Sequence, residues 1–304
     1  MARKLMDYAV ITLKGMAMGA ADVVPGVSGG TIAFISGIYE ELLSSINAID
    51  PSLIKTLKKE GFSKAWRGIN GNFLVALFIG IFISVLSLAK FLSWLLEHKP
   101  ILLWSFFFGL VLASIFLVGK EIKKWGAMTV TALVFGASIA FFITTLPPNE
   151  NVDSLPYLLL SGALAVCAMI LPGISGAFIL VLLGSYKTIL DAVHERKVIE
   201  VCTVAFGAII GLLSFARLLK WMFNNYRNLT LALLTGFIIG SLNKIWPWKK
   251  VLDSKVFDGK QIDTSFESVL PHQFDGDPQL FAATGLAVVG FSLIFILERL
   301  ASKK

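Results

Sequence analysis

The chain has 304 residues, of which 56% are hydrophobic and only 15% charged, and its mean hydropathy is +0.78. It is about twice a usual domain length and too apolar for a water-soluble fold, which excludes a cytosolic enzyme, a disordered chain and a disulfide scaffold. The net charge of +7 falls between apolar runs instead of tiling one face, so it reads as orientation in a bilayer and not as a nucleic-acid surface.

A hydrocarbon core about 30 Å thick needs about 20 apolar residues in a helix. In chain order, the first apolar stretch, residues 8–43, is too long for one crossing and is cut near its middle by Pro25-Gly26-Val27-Ser28-Gly29-Gly30. Arg3 and Lys4 precede it, but it carries Lys14 and leads into the cut, so a cleaved leader is not expected. A basic loop follows, then spans at 72–96, 101–118 and 126–146. The second overlong stretch, 156–190, is cut by Pro172-Gly173-Ile174-Ser175-Gly176-Ala177, and spans at 199–223 and 229–246 come after it. Residues 253–277 are acidic and polar and read as a loop outside the bilayer, before a last span at 280–300.

Proline removes an N–H and clashes with the preceding turn, and glycine frees the backbone, so each cut ends one helix and starts another. The pieces, about 14 to 20 residues each, suit a re-entrant hairpin better than a full crossing. Non-helical backbone at that depth survives only where protein buries it or water reaches it, which implies a polar cavity.

The two cuts are copies. Pro25, Gly26, Ser28, Gly29, Ile32, Gly37, Tyr39 and Leu43 recur at an offset of 147 as Pro172, Gly173, Ser175, Gly176, Ile179, Gly184, Tyr186 and Leu190. Gly80, Ser87, Ala89, Leu92, Trp94, Gly109 and Ser114 recur at an offset of 127 as Gly207, Ser214, Ala216, Leu219, Trp221, Gly236 and Ser241. The expected fold is therefore an all-α polytopic membrane protein in one membrane domain, 1–304. It divides into two repeats, 1–146 and 147–304, each a broken hairpin plus three transmembrane helices. Three crossings per half are odd, so the second repeat is expected upside down relative to the first. With both termini in the cytoplasm, Lys55, Lys58, Lys59, Lys64, Arg67, Lys120, Lys123, Lys124 and Arg227 also fall inside, while residues 149–155 and the acidic 253–277 segment fall outside. Two full crossings by each broken stretch keep the same parity; length favours re-entry.

Inverted repeats with broken helices near the midplane are the architecture of alternating-access transporters, whose substrate sits at the repeat interface. A helix beginning at Ser28 or Ser175 presents N–H groups, a hydroxyl and the positive dipole end, which suits a phosphate or carboxylate. Ser28, Gly29, Gly30, Thr31, Ser175 and Gly176 are the candidate contacts; the plain alternative is that the cuts are kinks or packing points. Lys90 and Arg217 occupy one repeat position inside spans, in Ser-Leu-Ala-Lys and Ser-Phe-Ala-Arg, and are either terminal stations for an anion or snorkelling side chains. Asp22 and Glu40 lack acidic repeat partners and are candidates for coupling to H+ or Na+, against ordinary capping or solvent exposure.

Gly26-Val27-Ser28-Gly29-Gly30 also spells a nucleophile elbow, but it lacks the strand-turn-helix setting, and His98, His194 and His272 fall in expected loops. No Walker, His-Glu-x-x-His or Cys-x-x-Cys pattern occurs, so no cofactor or metal is expected. Cys167 and Cys202 sit in apolar runs and read as buried free thiols, and Trp94, Trp104, Trp125, Trp221, Trp246 and Trp248 read as interfacial anchors.

The run Asp22-Val23-Val24-Pro25-Gly26-Val27-Ser28-Gly29-Gly30-Thr31, with the second copy Leu171-Pro172-Gly173-Ile174-Ser175-Gly176, resembles the signature of PopT-type polyprenyl-phosphate transporters of bacteria and archaea. The resemblance covers nearly the whole chain. It implies translocation of undecaprenyl phosphate, the recycled lipid carrier of cell-wall synthesis, from the outer to the inner leaflet of the cytoplasmic membrane, and a prenyl-phosphate lipid and the bilayer as partners. The alternatives are a transporter or channel for a small soluble anion and, from another class, a membrane lipid phosphatase.

Overall fold

A computed structural model describes residues 3–24, 27–149, 154–257 and 260–302, so that Pro25 and Gly26 of the first cut lie outside the described residues. The first overlong stretch becomes α1 (Leu5–Val23), α2 (Gly29–Ile35) and α3 (Tyr39–Asn47). Val24 and Ser28 on either side of the cut are extended, with φ/ψ of −89°/116° and −119°/130°. Two contacts run α2 back along α1: Lys14 Nζ donates to the Ser36 carbonyl at 2.6 Å, and the Gly29 N–H donates to Asp22 Oδ1 at 2.7 Å. Lys14 thereby satisfies a carbonyl at the negative end of α2.

The second stretch becomes α9 (Leu155–Ile170), α10 (Gly176–Leu182) and α11 (Tyr186–His194). It too doubles back, because Tyr157 donates to the Leu183 carbonyl at 2.8 Å and the Ser161 and Ser185 hydroxyls lie 2.8 Å apart. α10 and α11 meet at 104°. The matching turns use glycine at φ +72° (Gly37) and +69° (Gly184), a region closed to most side chains.

Between and after the hairpins run α6 (Gly71–His98), α7 (Pro100–Lys120), α8 (Ala127–Thr145), α12 (Val198–Ser241) and α13 (Leu280–Ser302). Among the described residues, α6, α7, α8 and α12 are long and apolar enough to cross a membrane, and α9 and α13 contribute shorter apolar helices. α12 contains two of the expected spans. At 44 residues it is about 66 Å long if straight, but Tyr226 breaks it with φ −136° and ψ 45°. Lys99, its counterpart at offset 127, separates α6 from α7 with nearly the same angles, φ −139° and ψ 47°. At Lys99 the cause is the following Pro100, which disfavours helical geometry before it.

Four tight pairings hold the bundle: α1 on α6, α9 on α12, α8 on α12 and α7 on α13. Small residues make these approaches possible. A β-carbon on Gly80 would collide with the Thr12 carbonyl of α1, and one on Gly207, its repeat counterpart, with the Leu159 carbonyl of α9. Phe73, Leu77, Leu219, Leu234 and Ile238 are buried, whereas Phe78, Phe82, Phe135, Phe142 and Phe206 point outward, as a lipid-facing surface requires.

Several expectations need correction. The basic loop between α3 and α6 is helical, with α4 (Pro51–Glu60), N-capped by Asp50 accepting the Ser52 N–H at 2.7 Å, and α5 (Phe62–Gly68). The 253–277 segment is not a plain loop, because an antiparallel ribbon of β1 (Lys249–Phe257) and β2 (Lys260–Ser268) covers much of it. A two-stranded ribbon is marginal alone; this one is pinned by Trp246 Nε1 donating to the Val269 carbonyl and Ser268 Oγ donating to Asn243 Oδ1, both at 2.8 Å. The span expected at 229–246 ends as a helix at Ser241, so the segment from Leu242 to Trp248 is turn rather than helix. His98 and His194 likewise end helices α6 and α11 instead of lying in loops, and of the two thiols expected to be buried Cys167 is half-buried and Cys202 exposed on α12.

Candidate functional site

The two cuts meet. Ser28 Oγ accepts the Gly30 N–H at 3.1 Å, capping its own helix, and donates to the Leu171 carbonyl at 3.1 Å. Thr31 Oγ1 accepts the Gly173 N–H at 2.8 Å, and the Tyr39 hydroxyl donates to the Ile170 carbonyl at 3.1 Å. Each contact joins groups freed by a helix break on one side to a polar side chain on the other, so unpaired backbone is satisfied without water. Ser28 and Thr31 are each 1% exposed and Tyr39 3%.

Glycine is needed where the tips touch. A β-carbon on Gly30 would stand 2.6 Å from the Ile170 carbonyl oxygen, and one on Gly173, at φ +93°, 2.8 Å from the Phe237 carbonyl oxygen of α12. Gly176 presses instead on its own hairpin, 2.6 Å from the Ala165 carbonyl by the same measure. Ser175, 4% exposed, begins α10 in extended backbone without a side-chain cap bond. The sequence expectation of open N–H groups at both cuts therefore differs from this conformation at the first one. There Asp22 takes the Gly29 N–H and Ser28 takes the Gly30 N–H, so the protein's own carboxylate occupies the position foreseen for an anion.

Ser28, Gly29, Gly30, Thr31 and Asp22 thus gather at one tip, with Ser175 and Gly176 on the second hairpin. Lys90 and Arg217 do not join them; both are exposed, on α6 and α12. Glu40, next to Tyr39, does not join them either and pairs instead with Arg227 beside the Tyr226 break at 2.8 Å. Its neighbour Glu41 accepts two bonds from the Arg3 guanidinium, at 2.6 and 2.7 Å, and one from Asn70 at 2.6 Å. Arg3, α3, the start of α6 and the α12 break are thereby linked on one face.

Next to the second tip lies a groove of about 640 Å³ whose lining includes Leu164, Leu171, Ile174, Ile179, Phe215 and Phe237. It is mostly apolar, with Asn149 and Cys167 the polar members of its lining. Just past the end of α12, on the ribbon side, stand two lysines that sequence reasoning passes over. Lys244 Nζ is 4.1 Å from the centroid of Phe178 in α10, and Lys249 Nζ is 5.1 Å from that of Trp104 in α7 while donating to the Lys244 carbonyl. Burial pushes Lys244 down to about 8; burial and the neighbouring Lys244 charge push Lys249 down to about 7. The pattern Lys-Ile-Trp-Pro-Trp-Lys holds the missed signal, two cations bracketing two interfacial indoles.

Residues 18–262 match a family model described as undecaprenyl phosphate translocase-like. A polyprenyl-phosphate transporter of Vibrio cholerae serotype O1 is 46% identical over 308 aligned positions, covering all of both chains. A polyprenyl-phosphate transporter of Staphylococcus aureus is 32% identical over 254 positions, covering 77% of this chain and 85% of its own. No solved structure matches. By the extent of the family match and by full-length identity, the chain belongs to the undecaprenyl phosphate translocase-like family.

Proposed function

We propose that the protein carries polyprenyl phosphate across the cytoplasmic membrane, from the outer to the inner leaflet, by alternating access at the two hairpin tips. The observation that carries this reading is the tip-to-tip contact of Ser28, Thr31 and Tyr39 with residues 170–173, beside an apolar groove. A phosphate monoester carries about −1.5 to −2 charges, and bare transfer of such a charge into low dielectric faces a Born penalty of order 20 kcal/mol per ion. The prenyl chain has no such barrier. The cargo is therefore split, its headgroup shielded between the tips and its chain left in lipid or in the groove.

In this reading repeats 1–146 and 147–304 are inverted, both hairpins re-enter the bilayer, and the termini are cytoplasmic. Matching backbone angles at Gly37 and Gly184 and at Lys99 and Tyr226 support a common ancestor for the halves. The bonds between the tips belong to a closed state. Opening frees the backbone around Ser28, Gly29, Gly30, Thr31, Ser175 and Gly176 for phosphate oxygens. Asp22, bonded to Gly29, is the carboxylate that a coupling H+ or Na+ neutralises as the headgroup replaces it. Lys90 and Arg217, exposed on α6 and α12, meet a headgroup arriving sideways from the lipid, and Glu40 closes one face through Arg227.

Leaflet-resolved movement of undecaprenyl phosphate in proteoliposomes, with and without a pH or Na+ gradient, tests this. Protein-dependent movement is the expected result. Uptake of inorganic phosphate in its place would move the reading to a soluble-anion carrier, and release of inorganic phosphate from the lipid to a phosphatase.

A further inference from the structure

Lys244 and Lys249 are an unusual pair to leave together. Each ammonium faces an aromatic ring, and among the described residues neither has a carboxylate partner. Their neighbour Lys250 does, bridging Asp275 at 3.2 Å. A structural lysine is ordinarily solvated or paired, because burying an unpaired cation is unfavourable. Two side by side also repel each other. Cation–π contacts of this kind offset part of that cost but leave both charges without a counterion.

The surroundings say which charge is missing. The Lys244 N–H donates to the Ser241 carbonyl at 2.9 Å, so Lys244 lies one turn beyond Ser241, whose hydroxyl flanks Gly173 of the second tip. The groove shares Leu171, Ile174 and Phe237 with that tip, and Ile179 follows Phe178 on α10. Asn243, next to Lys244, bonds Thr144 at the end of α8 at 3.1 Å; Ile143 beside Thr144 and Ile179 beside Phe178 line the groove, so Lys244 adjoins its lining without belonging to it. A cationic pair whose neighbours line an apolar groove matches an amphiphile with a compact dianionic head.

We propose that Lys244 and Lys249 form a headgroup-receiving subsite for a phosphate monoester lipid on the ribbon side, the isoprenoid chain lying in the groove between α8, α9, α10 and α12. This rests on the reading of polyprenyl phosphate as cargo and adds the place where its phosphate first docks. Phe178 and Trp104 keep the two ammonium groups dehydrated and fixed, so that the phosphate displaces little water when it bridges them.

The test uses the full-length protein in nanodiscs with farnesyl phosphate and, separately, inorganic phosphate as probes, read by native mass spectrometry and by amine acylation of lysines. Farnesyl phosphate is expected to bind wild type and to shield Lys244 and Lys249 from acylation, while inorganic phosphate at equal concentration shields neither. The double variant Lys244→Gln with Lys249→Gln is expected to lose affinity at least tenfold, the corresponding double Arg variant to stay within about threefold, and Lys250→Gln to match wild type. If wild type binds and the double Gln variant binds equally, the subsite is wrong and the transport reading stands. If wild type binds no farnesyl phosphate, the cargo assignment fails and the subsite with it. Equal shielding by inorganic phosphate overturns the lipid as its ligand. If the Gln variant does not fold, acylation of wild type decides, and unshielded lysines overturn the proposal.

Discussion

Replacing Thr31 by Val isolates the contact between the two tips. The side chains have nearly the same shape, and Thr31 is 1% exposed, so packing is kept while one acceptor disappears. The Gly173 N–H, now 2.8 Å from Thr31 Oγ1, is left without its partner. A buried unsatisfied donor costs about 1–3 kcal/mol. If the tips separate during transport, that cost falls on the closed state alone and shifts the open population by about 5- to 150-fold. Ser28 to Leu171 and Tyr39 to Ile170 remain, so the fold is expected to survive. The readout is maleimide labelling of Val27→Cys, a position 1% exposed here, in a background with Cys167 and Cys202 changed to Ser. Thr31→Val is expected to label at least fivefold faster and Thr31→Ser to label like the parent. Identical labelling of the two would show that the tips do not part at this bond, and alternating access through them would be refuted.

Three further outcomes follow from the same geometry. Gly80→Ala drives a methyl into the Thr12 carbonyl, whereas Gly119 has open space around it; thermal unfolding in detergent is expected to drop by several degrees for the first and not for Gly119→Ala. Asp22→Asn keeps an oxygen for the Gly29 N–H but removes the titratable charge, so lipid movement should persist and lose its dependence on the ion gradient, as a flux assay at matched gradients will record. Farnesyl phosphate affinity should be greatest between about pH 6 and 7, where the headgroup is largely dianionic, and fall towards pH 9. Lys249 and Lys244 release their protons from about 7 and 8, binding raises those values, and affinity is lost as pH climbs through them. Phosphate itself, with a second pKa near 6, gains no charge over that interval and cannot cause the fall. α10 and α7 present Phe178 and Trp104 to the lysines, and on the ribbon Lys250 is matched by Asp275. A flat titration curve would remove the lysines from the binding step.

The spans were legible because apolar length is a one-dimensional property, and the break at Lys99 because Pro100 follows it. The break at Tyr226 has no proline; it was legible only through the basic, Asn-rich stretch 224–228 and the repeat. The ribbon is hidden by the acidity of its segment, which reads as loop, although Asp258-Gly259 is a strong hairpin signal between segments of mixed polarity. At the site, the sequence marked which backbone would be freed but not what would satisfy it. Whether Ser28 faces a ligand or the Leu171 carbonyl depends on how two segments about 140 residues apart approach, and no local pattern encodes that distance.

That unreadable part carries the mechanism. Two helix breaks buried in a bilayer must satisfy their amides either with each other or with a guest, because lipid offers no hydrogen bonds. The contacts from Ser28, Thr31 and Tyr39 supply the first solution, and Asp22 supplies a resident anion for Gly29. In the alternating-access proposal a headgroup gains access only by substituting for these bonds, so that the empty carrier stays shut and the guest itself compensates the opening. On the same proposal the pathway is closed to small ions, since an ion that cannot replace several hydrogen bonds at once leaves buried amides unpaired. The proposed lysine subsite fits this scheme, because beside Phe178 and Trp104 it lies outside the tips, where a phosphate docks without breaking any tip bond.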